Sequence, residues 1–199
     1  MEASYFTRHP FLKDVLNIII FIVCVVIGTT LINTFVFRSY NVIGPSMQPT
    51  MTTGDRLIVN RLPVTWAQLT NQPYIPEHGQ VIVFDNPKFQ QGVADEYIVK
   101  RVIGLPGERV VLENGTFTVY NGKNPNGFNP DTTHSDEPAS PAVGAVDVVV
   151  PEGELFVVGD NRVGNNSYDS RSGLGTVALY DVIGPVSARL FPFTEVRGF

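Results

Sequence analysis

Residues 15–37 read VLNIIIFIVCVVIGTTLINTFVF, 23 consecutive positions without a charge. As a helix rising 1.5 Å per residue this run is about 34 Å long, enough to cross a hydrocarbon core of roughly 30 Å. Asn17, Thr29, Thr30, Asn33 and Thr34 interrupt it with neutral polar groups only. The run is long for the apolar part of a cleaved secretory signal, and the following NTFVFRSY offers no small-residue cleavage site. An uncleaved anchor is therefore expected, dividing the chain into a short N-terminus (1–14), a span (15–37) and a following domain (38–199). Charge does not orient the span: Arg8 and Lys13 precede it, and Arg38 and Arg56 follow within about 20 residues.

The net charge of −5 argues against nucleic acid as a partner. One cysteine, Cys24, lies inside the apolar run, and the three histidines, His9, His78 and His134, are scattered. Neither a disulfide framework nor a Cys/His metal cluster can be assembled from them. Hydroxyls, carboxylates, lysines and backbone groups are left to supply any chemistry, with no metal or cofactor expected.

Beyond the span, short β-branched segments alternate with turns: DRLIVNRL, GQVIVFDNP, EYIVKRVIG, ERVVLENGTFTVYNG, VDVVVPEGELFVVGDN and YDVIGPVSARLFPF. In VVLENGTFTVY two alternating runs flank Asn114-Gly115, a dipeptide suited to a tight hairpin turn. Glycine and proline make up 33 of 199 residues, which discourages long helices. A mostly β domain of about 160 residues follows, with TWAQLTNQ as a short helical turn. Residues 121–145, rich in Asn, Pro, Gly, Thr and Ser, read as a long surface excursion.

Six residues after the span comes GPSMQPT, residues 44–50. Pro45 and Pro49 limit the backbone on either side of Ser46, and Gly44 permits close approach of other chain. A braced serine becomes a nucleophile only with a base and oxyanion donors nearby; otherwise this is a proline-rich turn. His78 and His134 lie in turn-like segments, which disfavours a Ser-His-Asp arrangement. Among the lysines only Lys100 sits within a strand-like run, YIVKRVIG, where Ile98, Lys100 and Val102 share one face. Acting as a base near neutrality requires a fall of about 3 pKa units, roughly 4 kcal/mol. Burial alone can supply that; an exposed edge lysine would instead serve to discourage strand pairing. The glycine-rich segment GDNRVGNNSYDSRSGLG, residues 159–175, adds Asp160, Arg162, Ser167, Asp169, Ser170 and Arg171, a composition suited to a salt-bridged frame.

Taken in order, the anchor, GPSMQPTM, GDRLIVNR, YIVKRVIGLPGE, VVGDNRVGNNSYDSR and the closing DVIGPVSARLFPF resemble the bacterial type I signal peptidases. The resemblance runs from residue 11 to the end. It implies a signal-peptidase or repressor-protease-like β domain behind one transmembrane helix. It further implies a serine endopeptidase that removes signal peptides from secreted preproteins after small residues, with no cofactor. Ser46 would be the nucleophile and Lys100 the general base. Ser167 would position the amine, and Asp169 with Arg171 and Asp160 with Arg101 would frame the site. The Ser46 N–H would be one oxyanion donor; at Gly44, where some members carry a serine hydroxyl, a backbone or water donor is needed. Met47 and Val99 would line the pocket for the residue before the cut. The family places the catalytic domain outside the plasma membrane, and a single span with Gly44 is similar to its Gram-positive-type members.

Two departures stand out. Four residues, Val163–Asn166, separate GDNR from Ser167 where the family usually has two, which leaves Ser170 as the alternative serine. Glu77–Gln80 (EHGQ) replaces the usual RGD turn. The competing readings are a self-cleaving repressor-type Ser-Lys protease, which carries no span, and a membrane-anchored β domain that binds without catalysis.

Overall fold

The computed structural model describes residues 10–92, 94–133 and 141–199. His9 and His134 lie outside them. Helix α1, Pro10–Phe35, is apolar on every side of its uncharged stretch, and among the described residues no other part of the protein covers it. Among the described residues it is the one helix long and apolar enough to cross a membrane. It stops short of Phe37, the expected end of the span, because Phe37 already pairs with Asn60 as the first residue of a strand.

That strand, β1 (Phe37–Asn41), leads into β2 (Arg56–Asn60), helix α2 (Leu62–Leu69), β3 (Val81–Asp85) and β4 (Tyr97–Gly104). The hairpin β5 (Arg109–Glu113) and β6 (Thr116–Tyr120) follows, then β7 (Val146–Val149), β8 (Glu154–Val158), β9 (Val177–Ala178), β10 (Val182–Phe191) and β11 (Arg197–Gly198). Every β-branched segment expected to be a strand forms one; burial alternates along β1, β2, β6 and β7, whereas β3 and β8 are buried almost throughout. The hairpin turns at Asn114 and Gly115, whose φ angles of 51° and 79° are those that Asn-Gly tolerates.

The large sheet runs β1-β2-β10-β3-β4-β8-β9, with β11 on β10, and all of its pairings are antiparallel. The small sheet, β6-β5-β7, packs Val110, Leu112, Phe117 and Val119 against Ile103, Phe156 and Val158 of the large one. Strand β4 holds the two together, and its pairing is uneven. Along β3 it is partnered from Tyr97 to Arg101, whereas β8 meets it only from Arg101 to Gly104. Residues Tyr97–Lys100 therefore keep one unpaired edge, which borders the site described next.

The described parts of the 121–145 excursion lie largely at the surface and are tied to the fold at several points. Phe128 bridges to Val119, Asn129 caps a 3-10 turn at Pro130–Thr132, and Ala142 N–H donates to Gly115 O. Composition suggested a polar loop; capping asparagines and a few anchoring apolar residues convert it into turns.

Candidate active site

Ser46 sits in the turn after β1, held from two directions. Met47 is only 1 % exposed and packs into the core with Val42, Met51, Leu57 and Val83, pulling one side of the turn inward. Asn161 holds the other side: its N–H donates to Ser46 O (3.0 Å) and its side-chain amide to Pro45 O (3.1 Å). Gly44 has a φ of 91°, a region that side-chain-bearing residues avoid. Its N–H is taken by Thr53 Oγ1 at 3.0 Å, whereas the Ser46 N–H has no acceptor among the described residues.

Lys100 reaches this turn from the middle of β4. Its Nζ lies 2.8 Å from Ser46 Oγ and donates to Val99 O at 2.8 Å. Ile98 and Val102, on the same face of the strand, pack into one core with Ile82 and Val157. The residue is 3 % exposed. Burial, opposed by the more distant carboxylates of Asp169, Asp160 and Asp95, brings the Lys100 amine down to a pKa of about 8. A hydroxyl and an amine in contact, one poised to lose its proton near neutrality, can carry out nucleophilic attack assisted by a base.

Behind the pair lies a frame of buried ions. Arg101 grips Asp160 with two hydrogen bonds, Nε to Oδ1 at 2.8 Å and Nη2 to Oδ2 at 2.6 Å, and gives a third to Gly79 O. Arg171 grips Asp169 in the same two-pronged way at 3.1 and 2.9 Å. Burial acts against the Asp169 charge, but the bonds from Arg171 and the Gly159 N–H hold its pKa below the usual carboxylate value. Arg162 forms a further tie: its Nε donates to Gly159 O, its two terminal nitrogens to Asp131, and its guanidinium covers the Phe117 ring. The catalytic-side loop is thereby fastened to the small sheet and to the 121–145 excursion.

A groove of about 710 Å³ opens over Ser46 and Lys100. One wall is Tyr40–Gly44 and the other is Ala94–Val99, with Asn165, Asn166 and Tyr168 at the remaining side. The unpaired edge of β4 thus forms part of its rim.

The family model described as "Signal peptidase, peptidase S26" matches residues 12–191. This chain belongs to that family. It is 35% identical to signal peptidase I of Bacillus licheniformis over 88% of either chain. Identity to signal peptidase I T of Bacillus subtilis (strain 168) is 34%, over 88% of this chain and 85% of the relative. For signal peptidase IB of Staphylococcus aureus (strain COL) it is 32%, over 93% and 94%. A crystal structure of a signal peptidase I from Enterococcus faecalis V583 superimposes with a TM-score of 0.42 at 27% identity, covering 56% of this chain and 96% of that one.

For this signal peptidase family member, the structure brings Ser46, Lys100, Val99 and Gly44 together at the groove and places the two ion pairs behind them. Met47 requires correction. It faces the core, not the groove, because the turn that exposes Ser46 points the next side chain inward. The serine alternatives are also distinguished. Ser170 Oγ is fully engaged, accepting from Val157 N–H and donating to Gly175 O. Ser167 is buried, close enough to the Asp169 carboxylate to favour its charge, yet its hydroxyl is in no formed hydrogen bond and does not bond Lys100.

Three contributors escaped the sequence reading, Gly159, Asn161 and Thr53, and Arg162, read there as part of the frame, had no partner assigned. A Cβ on Gly159 would collide with both Ser46 O and the Ser167 side chain, so this glycine is demanded by close approach. The Gly159-Asp160-Asn161-Arg162 run carried the signal; its contacts to Ser46 and Asp131 span too much sequence to be inferred. His78, expected in a solvated turn, is instead half-buried, paired with Glu108 at 2.7 Å and stacked edge-on against Phe128.

Proposed function

We propose that this protein is a membrane-anchored signal peptidase that cuts secreted preproteins with a Ser46–Lys100 dyad. The reading rests above all on the 2.8 Å contact between Ser46 Oγ and a Lys100 amine that is 3 % exposed. Family membership supplies the reaction class, serine endopeptidase action on signal peptides.

In this mechanism the preprotein enters the groove as an extended strand and pairs with the free edge of β4 at Tyr97–Lys100. Residues 41–46 flank it on the opposite side. Val99 contacts the small side chain before the scissile bond, as at an Ala-x-Ala site. Neutral Lys100 takes the Ser46 proton as Oγ attacks the carbonyl carbon. The Ser46 N–H donates to the developing oxyanion; the Gly44 N–H does not, being committed to Thr53. The Lys100 ammonium then protonates the departing amine, leaving the signal peptide esterified to Ser46. Next, Lys100 deprotonates water, which hydrolyses the ester and restores the serine. A neutral amine has two N–H donors and one lone pair. With the lone pair on Ser46 and one donor on Val99 O, a second donor is left over, and the family resemblance assigns it to the buried hydroxyl of Ser167.

Residues 15–35 of α1 form the anchor, with residues 1–14 inside the cell and the domain from 38 onward outside, in a single-pass plasma-membrane arrangement. The anchor keeps enzyme and preprotein in one two-dimensional layer and so raises their effective concentration. The deciding experiment incubates purified protein with a preprotein bearing Ala-x-Ala, comparing wild type with Ser46→Ala and Lys100→Met. Cleavage by the wild type alone is the expected result; cleavage by the Lys100→Met variant would remove the amine from the mechanism.

A further inference from the structure

The open edge of β4 ends at Lys100. From Arg101 onward β8 occupies it, with Val158, the last residue of β8, opposite Arg101. Backbone groups already paired with β8 are not free for a second strand, so an extended preprotein lying on residues 97–100 cannot continue along β4 past Ser46 and Lys100. It has to leave across the segment that follows β8, the loop of residues 159–175. Residues before the cut lie along 41–44 and 97–99, and those after it meet this loop.

Within the loop, Asn165, Asn166 and Tyr168 form one side of the groove. The neighbours of Tyr168 point inward: Ser167 is buried, and the buried Asp169 is gripped by Arg171. Tyr168 is left facing out, 46 % exposed, with its ring seated on Gly173, where a Cβ would lie 3.2 Å from the ring. Asn166 Nδ2 donates to Asn161 Oδ1 at 3.3 Å, and Asn161 holds both Pro45 O and Ser46 O, so this wall is braced against the nucleophile's own turn. The Asn165 carboxamide and Asn166 Oδ1 make no hydrogen bond among the described residues. Residues 163–166, two more than the family's usual spacing, are all exposed and carry no charge.

We infer that this loop binds the first residues after the cut, the mature end of the preprotein: Asn165 and Asn166 hydrogen-bond its main chain, and Tyr168 packs against one of its side chains. This deepens the proposed cleavage reading and rests on it. A carboxamide offers both donors and an acceptor, which suits an extended main chain of any sequence, and the phenol ring adds apolar contact. Such a surface reads how much chain follows the bond rather than which charges that chain carries.

The full-length Ser46→Ala protein is incubated in detergent micelles with a peptide bearing Ala-x-Ala and a diazirine side chain at the second position after the bond. Irradiation follows, and the adducts are mapped by mass spectrometry. Adducts on residues 165–168 are expected; adducts only on residues 41–44 or 97–99, or none on the loop, overturn the inference. Because the Ser46→Ala chain lacks the nucleophile, this readout stands apart from the mechanism. Loop adducts without cleavage by the wild type would sink the Ser46–Lys100 dyad and keep the contact, and cleavage with adducts elsewhere would do the reverse. In the wild type, kcat/KM should rise roughly 10-fold as the chain after the bond grows from one residue to three, the size expected of one or two added hydrogen bonds. The variant carrying Asn165→Ala and Asn166→Ala should lose most of that rise. A rise of the same size in the variant, whatever its overall rate, refutes the binding role.

Discussion

Lys100 and Arg101 are neighbours on β4, equally buried at 3 and 2 % exposure, and they face opposite electrostatic surroundings. Arg101 points to one side and meets the Asp160 carboxylate with two hydrogen bonds. Lys100 points to the other and meets only a hydroxyl and a carbonyl. A guanidinium cannot shed its proton in a protein, so its burial demands a partner of opposite charge. An amine can, so burial without a partner turns it into a base. The same frame that satisfies Arg101 also protects the neutral form of Lys100. Asp160 and Asp169 each pull the amine toward its charged form, and each is already held by an arginine, Arg101 or Arg171.

The contrast breaks most visibly in activity. Ser46→Ala and Lys100→Met should each reduce preprotein cleavage by about 10⁴-fold or more, and the double variant should be no worse than either alone, because the two groups act as a unit. Single-turnover assays on the three variants test this; additive losses would mean that the groups work separately.

On the Arg101 side the expected cost is in stability. Asp160→Asn removes the carboxylate that grips the buried Arg101 guanidinium and should destabilise the domain by about 3 kcal/mol or more, as breaking a buried pair does. Denaturant titration measures it. Lys100→Met should do the reverse. With a folded pKa of about 8 against an ordinary value of 10.5, the protonated amine carries a burial penalty of about 3 kcal/mol at pH 7. That penalty is present in full below pH 8 and disappears as pH rises from 8 to 10.5, where only the unfolded chain still binds the proton. The methionine variant should therefore be more stable than wild type at pH 7, with the gap closing over that window. A gap independent of pH would place the effect in packing instead.

A smaller change concerns the pH dependence of cleavage. The acid limb of kcat/KM should fall near pH 8, rising with pH as Lys100 deprotonates. Arg171→Met frees the Asp169 carboxylate to act on the amine and should move that limb upward; an unmoved limb would show that Asp169 does not reach Lys100. The smallest effect belongs to the exposed pair Arg109–Asp147 on the small sheet, where solvent screens both charges. Asp147→Asn should leave both melting temperature and cleavage unchanged.

Much of this comparison was legible in the residues. YIVKRVIG has the alternation that puts Lys100 and Arg101 on opposite faces, and the lone strand-borne lysine stood out once the histidines fell in turns. Both ion pairs came from the family resemblance: Arg101–Asp160 spans 59 residues and leaves no local trace, whereas Arg171 and Asp169 are only two residues apart. Met47 shows the limit from the other direction. Its place beside Ser46 suggested a pocket wall, yet adjacency in a turn sends successive side chains opposite ways. In the 121–145 excursion the ties were hidden for a related reason: Asp131 and Phe128 look like loop residues until Arg162 and Val119 arrive from elsewhere.

The chain by itself determined the apolar helix, the strand segments and the Asn114-Gly115 hairpin, because period, turn chemistry and hydrophobic length act over a few residues. Tertiary structure alone decided that Lys100 would be dry, that Gly159 had to lack a side chain, and that β4 would keep a free edge beside Ser46. Those properties depend on which distant segments exclude water or withhold a partner. Burial and electrostatic surroundings belong to the assembled space and to no single stretch of residues.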